Sequence, residues 1–259
     1  MKKLPSLKNK VVWITGASQG IGRQLALTMA RQGGTVVAAA RSSGKLDQLQ
    51  SEALTLEGTI YPLPVDVTRH DEVMRAADVI MTRFGRVDIA ILNAGTFIKT
   101  AGVEFRSTHM RQHFELNVMG VCHCLDALIP IMVAQQSGTL AINASLAGYR
   151  GLSAAAGYGA SKAALINMAE SLHIDLKPKG VEIKLINPGF VKTPLTDKNT
   201  FKMPFLMDVE PAVEAILRGL SRKHFEIRFP TVFGMMMGML RILPYNAYFA
   251  VTRHLASHE

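Results

Sequence analysis

The sequence predicts an α/β fold in which helices cover both faces of one parallel sheet. Short apolar runs alternate with helix-length segments along most of the chain. Strands that are buried on both faces read as such apolar runs, and crossover helices join parallel strands. A glycine-rich turn, TGASQGIG, separates the first apolar run from the first helical segment. These two observations favour a Rossmann-type doubly wound sheet in a single domain.

Seven segments have the length and apolar character of strands. They are residues 11–15, 35–40, 60–65, 88–92, 139–143, 182–187 and 225–229. Pro62 and Pro64 weaken the third of these predictions, because proline cannot donate to a hydrogen-bond ladder. The crossovers between parallel strands are expected to be right-handed.

Helices are predicted at residues 21–32, 72–84 and about 209–223, and a loop at residues 196–208. The loop carries apolar side chains, namely Phe201, Met203, Phe205, Leu206 and Met207. We expect one domain with a core of about residues 8–230 and a C-terminal helical extension of about residues 231–259. The extension is rich in methionine and aromatic residues. Core packing or a subunit interface is its leading interpretation, and peripheral membrane contact, with Arg241 and Arg253 at the headgroups, is the alternative.

The composition fits a folded protein, with 48% hydrophobic and 19% charged residues. The formal net charge of +9 admits nucleic acid, anionic lipid or an anionic small ligand as a partner. The basic residues are scattered, and they do not form a platform of interleaved aromatic and basic residues for single strands. We therefore predict no nucleic-acid partner.

Targeting signals and cysteine usage both favour a cytoplasmic location. No apolar core of signal-peptide length follows Met1. No run of 18 apolar residues occurs, and the closest approach, residues 232–251, is interrupted by polar residues and a proline. Cys122 and Cys124, the two cysteines of the sequence, exclude a disulfide framework and indicate a reducing compartment.

The glycine turn after the first predicted strand is suited to a dinucleotide pyrophosphate. A helix start offers free N–H groups and the positive end of the helix dipole to an anion. Glycines let the backbone turn sharply and approach the phosphates. The residues predicted to bind here are Gly16, Ser18, Gln19, Gly20, Ile21 and Gly22.

The end of the second predicted strand indicates the cofactor type. An acidic residue there would bind the ribose hydroxyls of NAD, but this chain has Arg41 and Ser42. Arginine attracts a 2′-phosphate and stacks on adenine. NADP(H) is therefore the preferred cofactor, and NAD(H) remains the less favoured alternative.

Several motifs in order resemble the short-chain dehydrogenase/reductase family over about residues 8–195. The turn TGASQGIG resembles the family's cofactor loop. The resemblance implies that Asp66 and Val67 contact adenine and that Asn93, Ala94 and Gly95 support the sheet and line the cofactor. It further implies that Asn117 is the family's helix asparagine, and that Ser145, Tyr158 and Lys162 are its catalytic serine and Y-x-x-x-K pair. The loop that holds the nicotinamide would contain Pro188, Gly189, Val191 and Thr193.

Tyr158 and Lys162 are four residues apart, so they share one face of a helix. A carbonyl that accepts hydride needs a proton, and tyrosine can donate one, although its ordinary pKa is near 10. A nearby ammonium lowers that pKa, so we expect Lys162 to lower the pKa of Tyr158. The Ser145 hydroxyl is expected to bind and orient the substrate oxygen. The resemblance adds that Lys162 binds the nicotinamide ribose and that Asn117 holds a water linking Lys162 to solvent.

The predicted function is NADP(H)-dependent interconversion of a carbonyl and an alcohol by hydride transfer. The apolar loop after Thr193 favours a hydrophobic substrate, such as a fatty acyl, sphingoid, steroid-like or aromatic ketone, and residues 97–108 and 146–156 would complete the pocket. An oxoacyl carrier-protein substrate is another candidate. A non-catalytic NADP-binding sensor or scaffold is the alternative function. The resemblance implies a homodimer or homotetramer that pairs through the helices carrying Asn117 and Tyr158.

No metal is predicted to take part in this chemistry. The spacing of His113, His123 and His173 matches no metal-binding pattern. The proton transfer assigned to Tyr158 also needs no metal ion.

Overall fold

All seven predicted strands lie in one parallel sheet of a computed structural model, which describes residues 6–198 and 203–256. The order across the sheet is β3-β2-β1-β4-β5-β6-β7. The strands are β1 (Val11–Thr15), β2 (Thr35–Ala40), β3 (Thr59–Pro64), β4 (Ile89–Leu92), β5 (Gly138–Asn143), β6 (Val181–Pro188) and β7 (Glu226–Phe229). Strands β2 and β3 are added on one side of β1, and β4 to β7 are added on its other side, so the strand order reverses between β1 and β4. A crevice is expected at the carboxyl ends of the strands at this point.

The two prolines of β3 are accommodated because β3 is an edge strand. Pro62 is in register with Ala38 and Pro64 with Ala40 of β2. The other side of β3 faces no further strand in the sheet, which is where a strand tolerates residues that cannot donate to a ladder.

Nine α-helices and several short helical turns are found in the described residues. The α-helices are α1 (Gly20–Arg31), α2 (Ser43–Glu52), α3 (His70–Phe84), α4 (Ser107–His113), α5 (Gly120–Ala134), α6 (Ala156–Leu176), α7 (Val209–Leu220), α8 (Thr231–Ile242) and α9 (Tyr245–Ala256). A π-helical turn, Phe114–Met119, joins α4 to α5. The 3-10 turns are Gly102–Glu104, Leu146–Gly148, Lys177–Lys179 and Thr196–Lys198.

Helices cover both faces of the sheet, as the sequence predicted. Consecutive side chains of a strand point to opposite faces, and on β1 the fully buried Trp13 and Ile14 belong to different core clusters. The Ile14 cluster includes Leu25 of α1, Leu46 of α2 and Ile216 of α7. The Trp13 cluster contains residues of α3, α5, α6 and α8.

Among the residues that the structure describes, one helical stretch is long and apolar enough to cross a membrane by length and composition alone. It is Ser107–Ala134, which runs from α4 through the π-helical turn into α5, and 44% of its most apolar window is buried inside the protein. The sequence had suggested residues 232–251 as the closest approach to such a span. In the structure that segment is divided between α8 and α9. The long stretch packs on α3 and α6 and is a core helix of the fold.

The C-terminal helices α8 and α9 contact the loop after β5. The Arg150 guanidinium donates to the carbonyl oxygens of Arg241 at 2.8 Å and Leu243 at 2.9 Å, at the end of α8. It also lies over the rings of Tyr245 and Tyr248, 4.8 and 4.5 Å from their centres. The Tyr248 hydroxyl donates to the carbonyl of Gly151, next to Arg150. The extension therefore holds a loop that begins just beyond Ser145.

Candidate active site

The glycine turn packs closely against the neighbouring backbone. Gly16 and Gly20 adopt φ values of 68° and 56°, a region that side-chain-bearing residues rarely occupy. A Cβ on Gly22 would lie 2.4 Å from the Gly16 carbonyl oxygen, and one on Gly16 would lie 2.9 Å from Ala94 Cα. The turn therefore has room only for glycine at these positions, and it brings α1 against the ends of β1 and β4.

Asn93 joins the ends of three neighbouring strands beside this turn. Its side-chain amide donates to the Thr15 carbonyl of β1 at 3.1 Å, and its Oδ1 accepts from Asn143 Nδ2 of β5 at 2.9 Å. The backbone N–H groups of Asn93 and Ala94 donate to the Thr15 hydroxyl at 3.0 and 3.2 Å. These contacts hold the ends of β1, β4 and β5 together.

A cleft of about 400 Å³ follows the carboxyl ends of the strands. Nineteen of the predicted site residues line it, namely Gly16, Ser18, Gln19, Gly20, Ile21, Arg41, Ser42, Asp66, Val67, Asn93, Ala94, Gly95, Ser145, Tyr158, Lys162, Pro188, Gly189, Val191 and Thr193. Two predicted residues, Gly22 and Asn117, do not line the cleft. Gly22 instead packs beneath the glycine turn, and Asn117 is fully buried behind the wall.

One end of the cleft is basic. Arg41 and Ser42 line it there, and so does Lys45 of α2, which was not predicted from the sequence. Lys45 Nζ lies 3.4 Å from Gln19 Oε1 of the glycine turn. Lys45 could have been predicted, because it follows Arg41 by four residues at the start of α2.

Asp66 is tied into its own turn. Its Oδ1 accepts from the backbone N–H and the hydroxyl of Thr68 at 3.0 and 2.8 Å. Its backbone N–H donates to Glu72 Oε2 at 2.9 Å. These contacts fix the course of the chain after β3, so that Asp66 and Val67 form one wall of the cleft.

Ser145 and Tyr158 both line the other end of the cleft, where the Ser145 hydroxyl acts on the Tyr158 phenol. The Ser145 hydroxyl also lies 3.3 Å from the Pro188 carbonyl oxygen and accepts from the Ala147 N–H at 3.1 Å. The edges of the Phe97 and His113 rings pack around the Tyr158 ring, with centres 5.3 and 6.2 Å away. The tyrosine is thus fixed by aromatic contacts while its hydroxyl faces a serine.

Lys162 is buried one helical turn after Tyr158. Its ammonium donates to the Asn143 carbonyl oxygen at 2.7 Å and lies 5.7 Å from the centre of the Tyr158 ring. Burial lowers the pKa of Lys162 to about 8. The amine therefore stays mainly protonated at neutral pH.

The expected direction of the Tyr158 pKa shift is wrong for this structure. Burial raises the pKa of Tyr158, and the hydrogen bond with Ser145 opposes that shift in part. The ammonium of Lys162 is turned toward Asn143, and desolvation of the phenolate outweighs the interactions that favour it. The phenol of Tyr158 is therefore neutral in this structure.

Asn117 is buried behind the wall of the cleft, where its side chain links neighbouring segments. Its Oδ1 accepts from the Thr96 N–H at 2.8 Å, and its Nδ2 donates to the Thr96 carbonyl at 3.1 Å and to Ser161 Oγ at 3.0 Å. Ser161 Oγ in turn donates to the Tyr158 carbonyl at 2.7 Å. Both amide protons of Asn117 are thus used within the protein, and the side chain holds the chain after β4 against α6. The π-helical turn that carries Asn117 was not predicted.

No residue of the two segments predicted to complete the substrate pocket lines the cleft itself, although Phe97 contacts Tyr158 beside it. Residues 97–108 and 146–156 are joined by a bridge between Thr100 and Ala155. Phe233 of α8 stacks between Phe190 and Phe205, with ring centres 5.8 and 5.7 Å apart. Phe201, another predicted apolar residue of this region, lies outside the described residues.

His113 has a structural role beside Tyr158. Its Nε2 accepts from the Ile98 N–H at 3.0 Å, and its Nδ1 lies 2.8 Å from the His109 carbonyl oxygen. Burial lowers the pKa of His113, so the ring is neutral and donates from Nδ1. Within residues 6–198 and 203–256, no group of three or more His, Cys, Asp or Glu side chains could hold a metal ion.

Comparison with known proteins identifies a matching family model and related sequences. A family model described as short chain dehydrogenase matches residues 10–203. An uncharacterized oxidoreductase of Myxococcus xanthus is 37% identical over 97% of this chain and 100% of its own length. The 3-oxoacyl-[acyl-carrier-protein] reductase of Thermotoga maritima is 31% identical over 74% of this chain and 78% of its own length.

Solved structures agree with the fold. A 7α-hydroxysteroid dehydrogenase complexed with NADH and 7-oxo glycochenodeoxycholic acid superposes with a TM-score of 0.76 at 26% identity, covering 82% of this chain and 87% of that chain. A short-chain dehydrogenase from Sphingobium yanoikuyae in complex with NADPH gives a TM-score of 0.78 at 25% identity, covering 91% and 97%. These two relatives were solved with different nicotinamide cofactors.

Proposed function

Because the chain belongs to the short-chain dehydrogenase/reductase family, we propose that it interconverts a carbonyl and an alcohol on a hydrophobic substrate with NADP(H) as cofactor. The observation that carries the proposal is the convergence of Ser145, Tyr158 and Lys162 on a cleft whose opposite end holds the glycine turn and Arg41. A proton donor and a dinucleotide-sized groove in one cleft are what hydride transfer to a carbonyl requires.

The cleft residues fit a dinucleotide. Gly16 and Gly20 leave the backbone open at the start of α1, where N–H groups attract phosphate. A Cβ on Gly95 would come within 3.2 Å of Asn117 Oδ1 and 3.6 Å of Lys162 Nζ, so glycine keeps the middle of the cleft clear. Asn143 Oδ1 is buried there without a hydrogen-bond partner in the described part of the chain. These features support cofactor binding along the cleft, with Lys162 at the ribose.

Tyr158 would act as the proton donor. The hydride for the carbonyl carbon would come from the nicotinamide, and the Tyr158 hydroxyl would deliver its proton to the carbonyl oxygen. Its raised pKa keeps it protonated beforehand. Ser145 would bind the same oxygen and orient it, and the charge of Lys162 would stabilise the phenolate that remains. Asn117 would act as a positioning residue through Ser161 and Thr96.

The preference for NADP(H) rests on the basic end of the cleft. Arg41 and Lys45 offer two cations where a 2′-phosphate would lie, and residues 41–45, directly after β2, include no carboxylate. NAD(H) remains the competing cofactor, since related structures include complexes with NADH and with NADPH.

A hydrophobic carbonyl substrate is supported by the aromatic surroundings of the Tyr158 end. Phe97 contacts Tyr158, and Phe190, Phe205 and Phe233 form a stack beside the Pro188–Gly189 turn. Two of the similar proteins are described as acting on an oxoacyl chain or a steroid ketone. Both substrate types belong to the proposed class.

We also propose a homodimer or homotetramer in the cytoplasm. Family members pair through the helices that carry Asn117 and Tyr158, and here Met119 and Ile174 are exposed apolar residues on those helices. Both cysteines are free thiols, which supports a reducing compartment.

The proposal is tested with a panel of fatty acyl, steroid, sphingoid and aromatic ketones, followed by the absorbance of NADPH and repeated with NADH. We expect turnover of at least one hydrophobic ketone, faster with NADPH at equal concentration. Tight NADPH binding without turnover of any panel member would instead favour the sensor or scaffold function. Faster turnover with NADH would overturn the cofactor assignment.

A further inference from the structure

Helix α8 is apolar around most of its circumference, with Thr231 and Arg241 as its polar side chains, although the protein covers only one side of it. Phe233, Met237 and Leu240 pack on the core cluster around Trp13. A helix that is apolar all round is normally buried in protein or in lipid. The uncovered side of α8 therefore calls for a partner.

The uncovered side forms a continuous stripe, which we call the C-terminal apolar face. It consists of Val232, Met235, Met236, Met239 and Ile242, whose exposed fractions range from 45% to 81%. Their spacing of three or four residues places them along one side of the helix. Two further exposed aromatic rings, Tyr245 and Phe249, stack on each other at the start of α9.

The segment that carries this face supplies arginines and no carboxylate of its own. No Asp or Glu occurs between residues 227 and 258, whereas Arg228, Arg241 and Arg253 do. Arg228 lies in the same shallow groove as Met235 and Met239, because its side chain packs against Gly234 and Gly238. Arg228 pairs with Glu226 at 3.7 Å and Arg241 with Glu170 at 3.6 Å, both partly exposed, and such pairs are weak and easily exchanged for another anion.

We propose that the C-terminal apolar face docks on an anionic lipid bilayer. Methionine side chains adapt to irregular apolar surroundings, and arginines beside an apolar stripe bind lipid phosphates. A second copy of this chain is a poorer occupant, since a two-fold contact would bring Arg228 of each copy toward the other face with no carboxylate in the face to compensate.

Docking would bring the active site to the bilayer surface. The first turn of α8 carries Phe233, which stacks on Phe205, and Phe205 and Leu206 are themselves about half exposed. The exposed apolar surface thus continues toward residues 193–196, which line the cleft. If the proposed function holds, a hydrophobic ketone dissolved in the lipid would reach Tyr158 from this side.

The test is sedimentation of the full chain with vesicles of phosphatidylcholine alone and of equal parts phosphatidylcholine and phosphatidylglycerol. We expect binding to the anionic vesicles and weaker binding at high salt. Met239→Glu and Ile242→Glu should each lower the partition coefficient about tenfold, since each places a carboxylate in the contact. Leu54→Glu is the matched control, because Leu54 is 80% exposed just beyond α2 and far in sequence from the face.

Three results would overturn the proposal. One is a wild-type protein that stays in the supernatant with anionic vesicles. Another is an equal loss of binding in Leu54→Glu. The third is a change of oligomer mass in Met239→Glu and Ile242→Glu, measured by light scattering, with vesicle binding intact, which would assign the face to a second copy. None of these readouts requires catalysis, so failure of the proposed enzyme function would be seen separately, as absent ketone reduction in solution.

Discussion

The ammonium of Lys162 donates a 2.7 Å hydrogen bond to the carbonyl oxygen of Asn143. This contact ties α6 to the end of β5 and holds a cation inside the cleft. The cation is desolvated, which is why the pKa of Lys162 falls from 10.5 to about 8.

The lowered pKa of Lys162 makes the stability of the protein depend on pH. The unfolded chain keeps the Lys162 proton to a higher pH than the native protein, so this residue makes stability rise with pH between about 8 and 10.5. The variant Lys162→Met lacks the effect. Urea unfolding of both proteins without cofactor should show the wild type gaining about 3 kcal/mol relative to the variant over that range. Parallel stability profiles for the two proteins would contradict the buried ammonium.

Cofactor choice should depend on the basic end of the cleft. Arg41→Ala and Lys45→Ala should each raise the KM for NADPH by roughly tenfold, because each removes a charge-assisted bond to the 2′-phosphate. The KM for NADH should change by less than about twofold. Arg31→Ala, at an exposed arginine in the last turn of α1, is the control and should affect neither cofactor. An equal loss for both cofactors in the cleft variants would argue against 2′-phosphate recognition.

Two glycine substitutions should have opposite effects. Gly22→Ala places a Cβ 2.4 Å from the Gly16 carbonyl oxygen and should cost about 1–3 kcal/mol of stability, with weaker dinucleotide binding. Gly44→Ala, in α2, meets no atom within 4 Å and should stabilise the protein by about 0.5–1 kcal/mol. Thermal unfolding of the two variants measures both effects. An unchanged free energy of unfolding in Gly22→Ala would show that the glycine turn has room for a side chain and would contradict the close contact with Gly16.

Loss of Arg150 should release the C-terminal helices. Its guanidinium satisfies carbonyls at the end of α8 and packs on two tyrosine rings, so Arg150→Met should cost about 2 kcal/mol. Hydrogen exchange should rise in α9 and change little in α1. Arg75→Met, which removes an exposed arginine paired with Asp71, should leave exchange in α9 unchanged. Protected α9 amides in Arg150→Met would show that other contacts hold the extension.

Local sequence signals predicted the framework of this fold well. The bounds of β1 and β2 match the predicted residues, because each strand is one unbroken apolar run between polar or glycine residues. The proline-containing β3 is shifted by one residue from its prediction. The helix predicted at about residues 209–223, which is α7, ends three residues early, at Leu220. Helix ends depend on tertiary contacts such as the bonds from buried Lys184 to the carbonyls of Arg222 and His224.

Site residues that belong to a short motif could be predicted from the sequence. Contacts between residues far apart in the sequence could not. The resemblance supplied Ser145, Tyr158 and Lys162 together. The docking of Arg150 on residues about ninety positions later leaves no local pattern. The direction of the Tyr158 pKa shift was also missed, because the spacing of Tyr158 and Lys162 does not report how deeply the phenol is buried or which way the ammonium turns.

The most direct test of the assigned proton donor is the variant Tyr158→Phe. Turnover of the best ketone from the panel and the dissociation constant of NADPH are measured in wild type and variant. Removing the hydroxyl should lower kcat by roughly a hundredfold or more, while the retained ring, held by Phe97 and His113, should leave the NADPH dissociation constant within about twofold. Turnover near the wild-type rate in Tyr158→Phe would contradict the account.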